Sequence, residues 1–417
     1  MSSDNHEETS QLTTVSGWRA TFSSLRNRNY RRYWLSTSAS FAAMQMQLVV
    51  RGWLVYDLTD SALALGLVSA GAGLSILTFS LYGGVITDRV DKRKLLISTQ
   101  AISGIVTLVI AVLISTGAIA LWHLVLASVV SGSVLAVNLP TRQAIIPELV
   151  EKDQIMNAVA LGSGAMNLNR VVAPALGGVL VGVIGIDGVY YLMVCCHVVA
   201  VSLMLRVPPL GVPSRESGGS FHNDIREGLR YVRGRPVLLA LLAMAVAPIV
   251  FGLPYQMLMP IFAVDVLDVG VSGLGYLMAA VGIGALAGSI FVASLGNYRR
   301  KGMLLLVSCG LFGVFLVAFA NSGSFHLSLF LLLGVGVANS SYLAVNSTLL
   351  QMNVEDRMRG RVMSMYMMTV GLFPLAVLPA SAIAETSGVA LPVLVGGAII
   401  ALFTLGIALL SPALRKL

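Results

Sequence analysis

Charge is the first thing that this sequence has little of. Charged residues make up 11% of its 417 residues and apolar residues 56%, whereas about 25% of an average soluble domain is charged. A chain of this length normally forms two or three soluble domains, but here too few charges remain to cover their surfaces. The composition therefore excludes an ordinary soluble protein, and the apolar content also excludes a disordered one.

Cysteine is equally scarce. The chain has three cysteines, and two of them, Cys195 and Cys196, are adjacent. Disulfide-stabilised domains need several well-separated pairs of cysteines, so a disulfide scaffold is excluded. The class that remains is an all-α membrane protein that crosses the bilayer many times.

What the sequence has instead is a series of long apolar stretches. Twelve of them reach the length of about 20 residues that an α-helix needs to cross a bilayer. We therefore predict twelve transmembrane helices, at residues 33–56, 62–86, 95–116, 119–141, 156–186, 189–206, 237–264, 273–296, 302–320, 325–350, 363–384 and 389–411.

Basic residues are missing from every second connection between these stretches. Of the 27 Lys and Arg residues, 25 lie in the segments 1–32, 87–94, 142–155, 206–236, 297–301, 351–362 and 412–417, and the other six connections contain none. Because basic loops stay on the cytoplasmic side of a membrane, both chain ends are predicted to be cytoplasmic. The division of the basic residues among seven short segments also removes the support for nucleic-acid binding.

The two halves of the chain resemble each other. Asn138 to Gln143 and Asn346 to Gln351 each close an apolar stretch, at an offset of 208 residues, and the basic triplets 92–94 and 299–301 lie 207 residues apart. We therefore predict two pseudo-symmetric six-helix bundles. Two parallel six-helix repeats are typical of transporters that bind their substrate between the repeats, which favours transport over enzymatic activity.

The predicted organisation has five parts. Two of them are the six-helix bundles, 33–206 and 237–411. The other three are a cytoplasmic N-terminal segment, 1–32, with an interfacial helix around Trp18, Phe22 and Leu25; a linker, 207–236, with an amphipathic helix from Phe221 to Val232; and a cytoplasmic tail, 412–417.

The connection after the second stretch carries a compact motif. Residues 84–94 are Gly-Val-Ile-Thr-Asp-Arg-Val-Asp-Lys-Arg-Lys. The glycine allows close helix packing, the basic run suits an anionic inner leaflet, and Asp88 is a lone acid at a helix end. The pattern resembles the signature loop between helices 2 and 3 of the major facilitator superfamily, whose fold has twelve transmembrane helices in two bundles.

That resemblance implies a role for these residues. In the superfamily the aspartate latches the cytoplasmic side while the cavity is open to the outside. Here the latch would comprise Gly84, Asp88, Arg89, Arg93, Lys94 and, at the inner end of the fourth stretch, Arg142. The alternative is a basic cluster that only fixes topology, although such a cluster would need neither the glycine nor the aspartate.

Further segments resemble one branch of this superfamily, the exporter-like transmembrane secretion effectors, near which enterobactin exporters and macrolide efflux proteins belong. These segments are Arg51 to Thr59, Asn138 to Pro147, Arg170 to Gly178 and Arg359 to Ser364. The resemblance implies efflux of a small molecule. It also implies a helix-packing motif at Pro174, Gly177 and Gly178, but Asn169 and Ala173 replace two glycines of the related antiporter motif, so antiport does not follow from it.

Two arginines, Arg51 and Arg170, are the basic residues left inside the apolar stretches, while all 19 acids lie outside them. A charge inside the membrane is costly. Each arginine either binds an anionic or hydrogen-bonding group of the cargo or has a structural role, such as Arg51 reaching toward Asp57. Since no acid lies at mid-membrane, the sequence does not establish a proton pathway.

The resemblance also places a substrate cavity between the halves. The candidate cavity residues are Met44, Gln47, Arg51, Asn167, Arg170, Tyr255, Gln256, Tyr342 and Asn346. Residues of these types suit cargo that is partly apolar.

We therefore expect a secondary transporter of the bacterial inner membrane that exports a small amphipathic molecule, such as a drug, siderophore or metabolite, by rocker-switch alternating access. The alternative is an importer or facilitator of a small organic anion. The sequence has no Walker A motif, HExxH, CxxC or nucleophile elbow, so no catalytic residue, metal or cofactor is expected. The expected partners are the cargo, a proton as the candidate coupling ion and the lipid bilayer, with no nucleic acid, and the functional unit is expected to be a monomer.

Overall fold

The computed structural model describes residues 23–209, 229–295 and most of 298–417, where the gaps are 299, 356–357, 359–361, 364, 367 and 370. Trp18, Phe22 and most of the predicted linker helix 221–232 lie outside the described residues. Only the C-terminal end of each of these two predicted helices is described. For the N-terminal helix this is a 3-10 turn at Ser23–Arg26, and for the linker helix it is a helical segment at 229–233.

Six long helical segments form the first half of the protein. The first four are α1 (Arg28–Thr59), α2 (Ala62–Arg89), α3 (Lys92–Ser115) and α4 (Leu121–Leu149). The next stretch, Ile155–Leu205, is broken at Gly185, where φ is 77°, a left-handed value that favours glycine. We name its two arms α5 (155–184) and α6 (186–205).

The second half repeats this plan. It contains α7 (Pro236–Val266), α8 (Gly270–Ser294), α9 (Lys301–Ala320), α10 (Phe325–Asn353), α11 (Phe373–Ser387), α12 (Ala390–Leu410) and the short α13 (Pro412–Lys416). α7 widens into π-helical turns at Pro248–Gly252 and Phe262–Val266. Its prolines, at 248, 254 and 260, explain part of this irregularity because proline cannot donate to the helix ladder.

These segments confirm the predicted fold of twelve membrane-spanning helices in two six-helix bundles. Among the described residues, nine helices are long and apolar enough to cross a membrane, with Ile155–Leu205 counted once. The second arm of that stretch, the shorter apolar helix α11 and the less apolar α1 complete the twelve. The clearest difference in boundaries is at α4, which is predicted to end at residue 141 and runs to Leu149. The described residues among 362–369 are helical too, and a turn at 371–372 separates them from α11.

Side-chain caps start two helices of the first half. Asn27 Oδ1 accepts hydrogen bonds from the backbone N–H groups of Asn29 (2.9 Å) and Tyr30 (3.2 Å). Asp91 Oδ1 accepts in the same way from Arg93 (2.8 Å) and Lys94 (3.3 Å). Because a cap of this kind satisfies the free N–H groups of a helix start, Asp91 lets the chain pass from α2 to α3 through two residues.

We name the two ends of the bundle by their connections. The basic face holds the connections that contain Lys and Arg, such as those between α2 and α3 and between α4 and α5. The acidic face holds the connections without them, such as those between α1 and α2 and between α7 and α8.

Small residues bring the two halves into contact. A Cβ atom on Gly178 of α5 would lie 2.6 Å from Cα of Gly275 in α8, and one on Gly282 would lie 2.8 Å from Cα of Val171. α2 and α11 also meet closely, since a Cβ on Gly66 would lie 2.8 Å from Cβ of Ser381. Backbones that approach this closely require glycine at the crossing.

These contacts occupy the acidic side of the membrane. The contact of Val171 with Gly282 lies about 24 Å from the basic end of α5, at about 1.5 Å per residue, and the contact of Gly178 lies beyond it. On the basic side of that level, a Cβ on Gly162 or Gly164 would have no neighbour within 4 Å. In the described part of the chain, the halves therefore meet from mid-membrane to the acidic face and separate toward the basic face.

The glycine crossing gives a stability prediction. We expect Gly178→Val to lower the melting temperature of the purified protein by several degrees, because the new side chain would meet the backbone of α8 and overpacking costs about 1–3 kcal/mol. Gly164→Val is the matched control, since it puts the same side chain on α5 in open space. Equal melting temperatures for the two variants would contradict the described crossing.

Candidate functional site

Three hydrogen bonds tie the halves together at the acidic face. The Tyr56 hydroxyl at the end of α1 donates to Asp265 Oδ2 at 2.7 Å. Glu385 Oε2 at the end of α11 accepts from the Ser61 hydroxyl at 3.0 Å and from the Leu63 backbone N–H at 2.9 Å. In each case the first half donates and a carboxylate of the second half accepts, so these three bonds close the acidic face.

Glu385 also helps to cap the N-terminus of α2. The Ser61 hydroxyl oxygen accepts from the Ala64 N–H at 3.2 Å, as a capping residue does. The Glu385 carboxylate adds a negative charge to the same helix start, which the helix dipole favours. A residue of the second half thus helps to cap a helix of the first.

Sequence reasoning missed these ties, although a signal was present. Asp265 and Glu385 are two of the few charged residues in the connections that lack Lys and Arg. The sequence interpretation placed Asp265 in a loop, whereas the structure places it in the last turn of α7. That turn faces Tyr56, and no pattern in the sequence indicates that Tyr56 and Asp265 are in contact.

A cavity of about 320 Å³ lies toward the basic face between α1, α4 and α5, and we call it the vestibule. α1 and α5 also contact the second half, whereas the lining of the vestibule belongs to the first half. It is lined by Tyr33, Trp34, Thr37, Ser38, Phe41, Arg142, Gln143, Ile146, Val159, Gly162, Ser163, Ala165, Met166 and Asn169.

Hydrogen bonds to backbone carbonyls hold the walls of the vestibule in register. Trp34 Nε1 in α1 donates to the Leu161 carbonyl of α5 at 3.0 Å, and Asn169 Nδ2 donates to the Ser38 carbonyl at 3.4 Å. These bonds fix the Trp34 ring and pin α1 against α5. The shape of the vestibule is therefore fixed by hydrogen bonds within the first half.

Arg142 is the charged group of this cavity. Its Nη2 donates to Ser40 Oγ at 3.1 Å, and its backbone carbonyl accepts the Tyr33 hydroxyl at 2.8 Å. Its Nε is buried and has no hydrogen-bond partner. Arg142 therefore lines the vestibule with a guanidinium whose donor capacity is not fully used.

The predicted latch falls partly outside the described structure. The helix α2 runs to Arg89, but the side chains of Gly84, Asp88 and Arg89 lie outside the described part of the chain. Arg93 Nη2 donates to the Leu205 carbonyl at the end of α6, at 2.7 Å, and the side chain of Lys94 is exposed. The latch therefore stays a prediction.

Each half has its own ion pair at the basic face. Lys92 pairs with Glu148 in the first half, and Arg235 pairs with Glu355 in the second. The hydrogen bond to Glu355 raises the pKa of the Arg235 guanidinium. Both pairs of the described residues lie within one half, which agrees with a basic face whose two halves stand apart.

Arg170 and Arg51 lie deeper than Arg142. At about 1.5 Å per residue, Arg170 is about 22 Å from the basic end of α5 and Arg51 about 34 Å from that of α1. Arg170 is exposed and Arg51 half-buried, and neither forms a hydrogen bond or ion pair with a described residue. The predicted reach of Arg51 to Asp57 is thus not formed in this arrangement.

The remaining cavity candidates fall into two groups. Met44, Gln47, Asn167 and Gln256 are half-buried. Tyr255 and Tyr342 are each 1% exposed and Asn346 is 0% exposed, so they are sealed from the vestibule in this arrangement. The Tyr255 hydroxyl and both polar side-chain atoms of Asn346 are buried without a hydrogen-bond partner.

The small residues of α5 lie at helix contacts. Pro174, Gly177 and Gly178 are buried. A Cβ on Gly177 would lie 3.4 Å from Cα of Met46 in α1, and Gly178 faces Gly275 in α8. One segment of α5 therefore packs against its own half and against the other half at the same time. Among the described residues, no group of His, Cys, Asp and Glu could hold a metal ion.

Twelve helices in two bundles, closed against each other at one face and apart at the other, have the fold of the major facilitator superfamily. Residues 19–417 match the family model of the transmembrane secretion effectors, and the chain belongs to this family. With its apolar helices, this makes it a multi-pass protein of the inner membrane.

Two curated relatives and one solved structure show what the chain is similar to. It is 28% identical over 345 residues to the staphyloferrin A transporter of Staphylococcus aureus, covering 81% of this chain and 85% of that protein. It is 22% identical over 331 residues to macrolide efflux protein A of Streptococcus pyogenes, with 78% and 80% covered. A mutant of the nucleoside transporter NupG superposes with a TM-score of 0.74 at 12% identity, covering 91% and 99%, and shares the fold.

The acidic-face ties give a prediction about access. We expect Tyr56→Phe and Glu385→Ala each to speed the labelling of a cysteine at position 47 by an impermeant maleimide added at the acidic face. Each lost hydrogen bond removes about 1 kcal/mol from the closed arrangement, so the open one becomes several-fold more populated. The background variant replaces Cys195, Cys196 and Cys309.

Thr116→Ala is the control, because the Thr116 hydroxyl bonds only to carbonyls of its own helix. If all three variants were labelled at the same rate as the background protein, the hydrogen bonds would not hold the acidic face closed.

Proposed function

We propose that this protein exports small amphipathic molecules across the inner membrane by rocker-switch alternating access. One observation carries the proposal: the halves meet from mid-membrane to the acidic face, while the vestibule lies at the basic face. The Lys and Arg content predicts that the basic face is cytoplasmic. The arrangement is then the one in which an exporter takes up cargo from inside the cell.

Release outside requires the acidic face to open and the basic face to close. The three acidic-face hydrogen bonds contribute about 1 kcal/mol each, which is a difference that cargo binding or a coupling ion can overcome. We assign the closing of the basic face to the latch of Asp88 with Arg89, Arg93 and Arg142. Gly84 and Lys94 belong to the same motif.

The cargo class is supported by the relatives and by the vestibule. A siderophore transporter and a macrolide efflux protein are among the relatives. Trp34, Phe41 and Met166 line the vestibule together with Arg142 and Asn169, and such a mixture suits a molecule with apolar and polar parts.

Arg51 and Arg170 are proposed cargo ligands further along the path. Neither forms a hydrogen bond or ion pair with a described residue, and a charged residue inside a membrane protein is by default a candidate functional position. Tyr255, Tyr342 and Asn346 are proposed to join the cavity in another arrangement, in which the unpartnered polar groups of Tyr255 and Asn346 meet cargo or water.

A vesicle experiment tests export and the latch together. Inverted membrane vesicles that contain the protein are expected to accumulate ethidium, 8-anilinonaphthalene-1-sulfonate or a labelled macrolide when energised. Asp88→Asn is expected to lower the initial rate at least tenfold without lowering the melting temperature, because the closed basic face loses its charged acceptor. Collapsing the pH gradient tests the proton as coupling ion.

The control for this variant is Asp153→Asn, since Asp153 is an exposed acid in a connection on the same face. Absence of accumulation for every probe would refute export of amphipathic molecules, and equal rates for the two aspartate variants would refute the latch.

The second candidate is import or facilitated passage of a small organic anion. Arg142, Arg170 and Arg51, which lie at three depths in the membrane, favour this function because they attract anions in either direction of transport. Accumulation of the anionic probe in right-side-out vesicles, and not in inverted ones, would establish this second function instead.

A further inference from the structure

The vestibule has one charged wall. Of the described residues that line it, Arg142 alone is charged. Neither of the described ion pairs includes Arg142, and its buried Nε has no partner. Among the described residues no acid pairs with Arg142. An anionic group that entered the vestibule would be stabilised there by a charge-assisted hydrogen bond to the guanidinium of Arg142.

Another part of the vestibule lining is apolar and aromatic. Trp34, held by its bond to the Leu161 carbonyl, stands with Phe41 and Met166 around a space of about 320 Å³. A volume of this size holds a compact ligand or one end of a larger one. The two walls together fit a molecule with an anionic head and an apolar body.

The vestibule is also the first step of a series. Arg142, Arg170 and Arg51 lie about 10, 22 and 34 Å from the basic ends of their helices, at about 1.5 Å per residue. α5 contains no acid at all, and the acids of α1 and α4, Asp57 and Glu148, lie near their ends. Counted along their helices, the three arginines therefore differ in depth by steps of about 12 Å, and α1, α4 and α5 contain no carboxylate between these depths.

We propose that the vestibule is a binding subsite for an organic anion with an apolar body, with Arg142 as its charged ligand. The proposal rests on the transport function proposed above and narrows its cargo to amphipathic anions. It places first contact with the cargo inside the first half, before Arg170 and Arg51 are reached. The same chemistry would also bind the phosphate of an anionic lipid, so the test must separate these two sources.

Binding of three matched probes tests the subsite. The full-length protein is placed in phosphatidylcholine nanodiscs and titrated with 1-naphthoate, neutral 1-naphthalenemethanol and cationic 1-naphthylmethylamine. We expect the anion to bind about tenfold or more tightly than the neutral probe, as a hydrogen bond to a charged group allows. Arg142→Gln is expected to remove this preference, whereas Arg415→Gln, at an exposed arginine of α13, keeps it.

A second variant covers the case in which Arg142→Gln does not fold. Gly162→Leu fills the vestibule, and no atom lies within 4 Å of its new Cβ. We expect this variant to bind all three probes weakly and to keep its melting temperature. Unchanged naphthoate affinity in Gly162→Leu, or equal affinities of the three probes for the unaltered protein, would overturn the proposal.

Nanodiscs that contain phosphatidylglycerol distinguish cargo from lipid. Naphthoate binding that persists in them supports a cargo subsite, and binding that disappears assigns the vestibule to a lipid phosphate and overturns it. The outcome is separate from that of the vesicle experiment. A protein that exports a neutral or cationic probe but does not bind naphthoate at Arg142 keeps the export function and loses the subsite.

Discussion

The close approach of α5 to α8 and of α2 to α11 is the constraint on which the rest of the structure depends. At Gly178, Gly275 and Gly282 the two backbones nearly touch, so the halves are fixed to each other along the acidic half of their length. Everything functional in this arrangement follows from that asymmetry. The acidic-face connections are brought within hydrogen-bond distance, and the basic ends are left far enough apart to expose the vestibule.

The charges follow the same asymmetry. Inside the first half, arginines stand at three depths with no described carboxylate to pair with them, while carboxylates of the second half serve as acceptors at the acidic face. Placing charges in a membrane protein without partners is expensive. The cost is tolerable where a cavity brings water or cargo to the charge, so the arginines without described ion pairs mark the transport path. The ion-paired Lys92 and Arg235 have a structural role beside that path.

Much of the fold could be predicted from the sequence because the bilayer restricts the solutions. A stretch of about 20 apolar residues has to become a helix, and the separation of basic from arginine-free connections fixes which helix ends share a face. The break at Gly185 was also foreseeable, since predicted spans end at residue 186 and resume at 189. The three prolines of α7 also predict that this helix is disturbed locally, but nothing in the sequence indicates that the disturbance takes the form of π-helical turns.

The candidate site was harder to predict. Arg51 and Arg170 stood out because charge within an apolar stretch is rare. Arg142 was assigned to a latch from its position at the end of α4, and nothing in the sequence indicated that it lines a cavity together with Trp34 and Met166. The ties of Tyr56 and Glu385 were missed because they join residues over 200 positions apart, and such pairings arise only when the two halves are packed together.

One measurement tests the central claim that the halves rock about their midplane contact. One pair of spin labels is placed at the exposed positions Thr116 and Asn321 near the acidic face, and a second pair, in a separate sample, at Glu151 and Arg230 near the basic face. In each pair one label is in each half. Double electron–electron resonance spectroscopy then gives both distances with and without 1-naphthoate or ethidium. The account predicts a second population in which the acidic-face distance lengthens as the basic-face distance shortens. A basic-face distance that changes while the acidic-face distance stays fixed during turnover would contradict it.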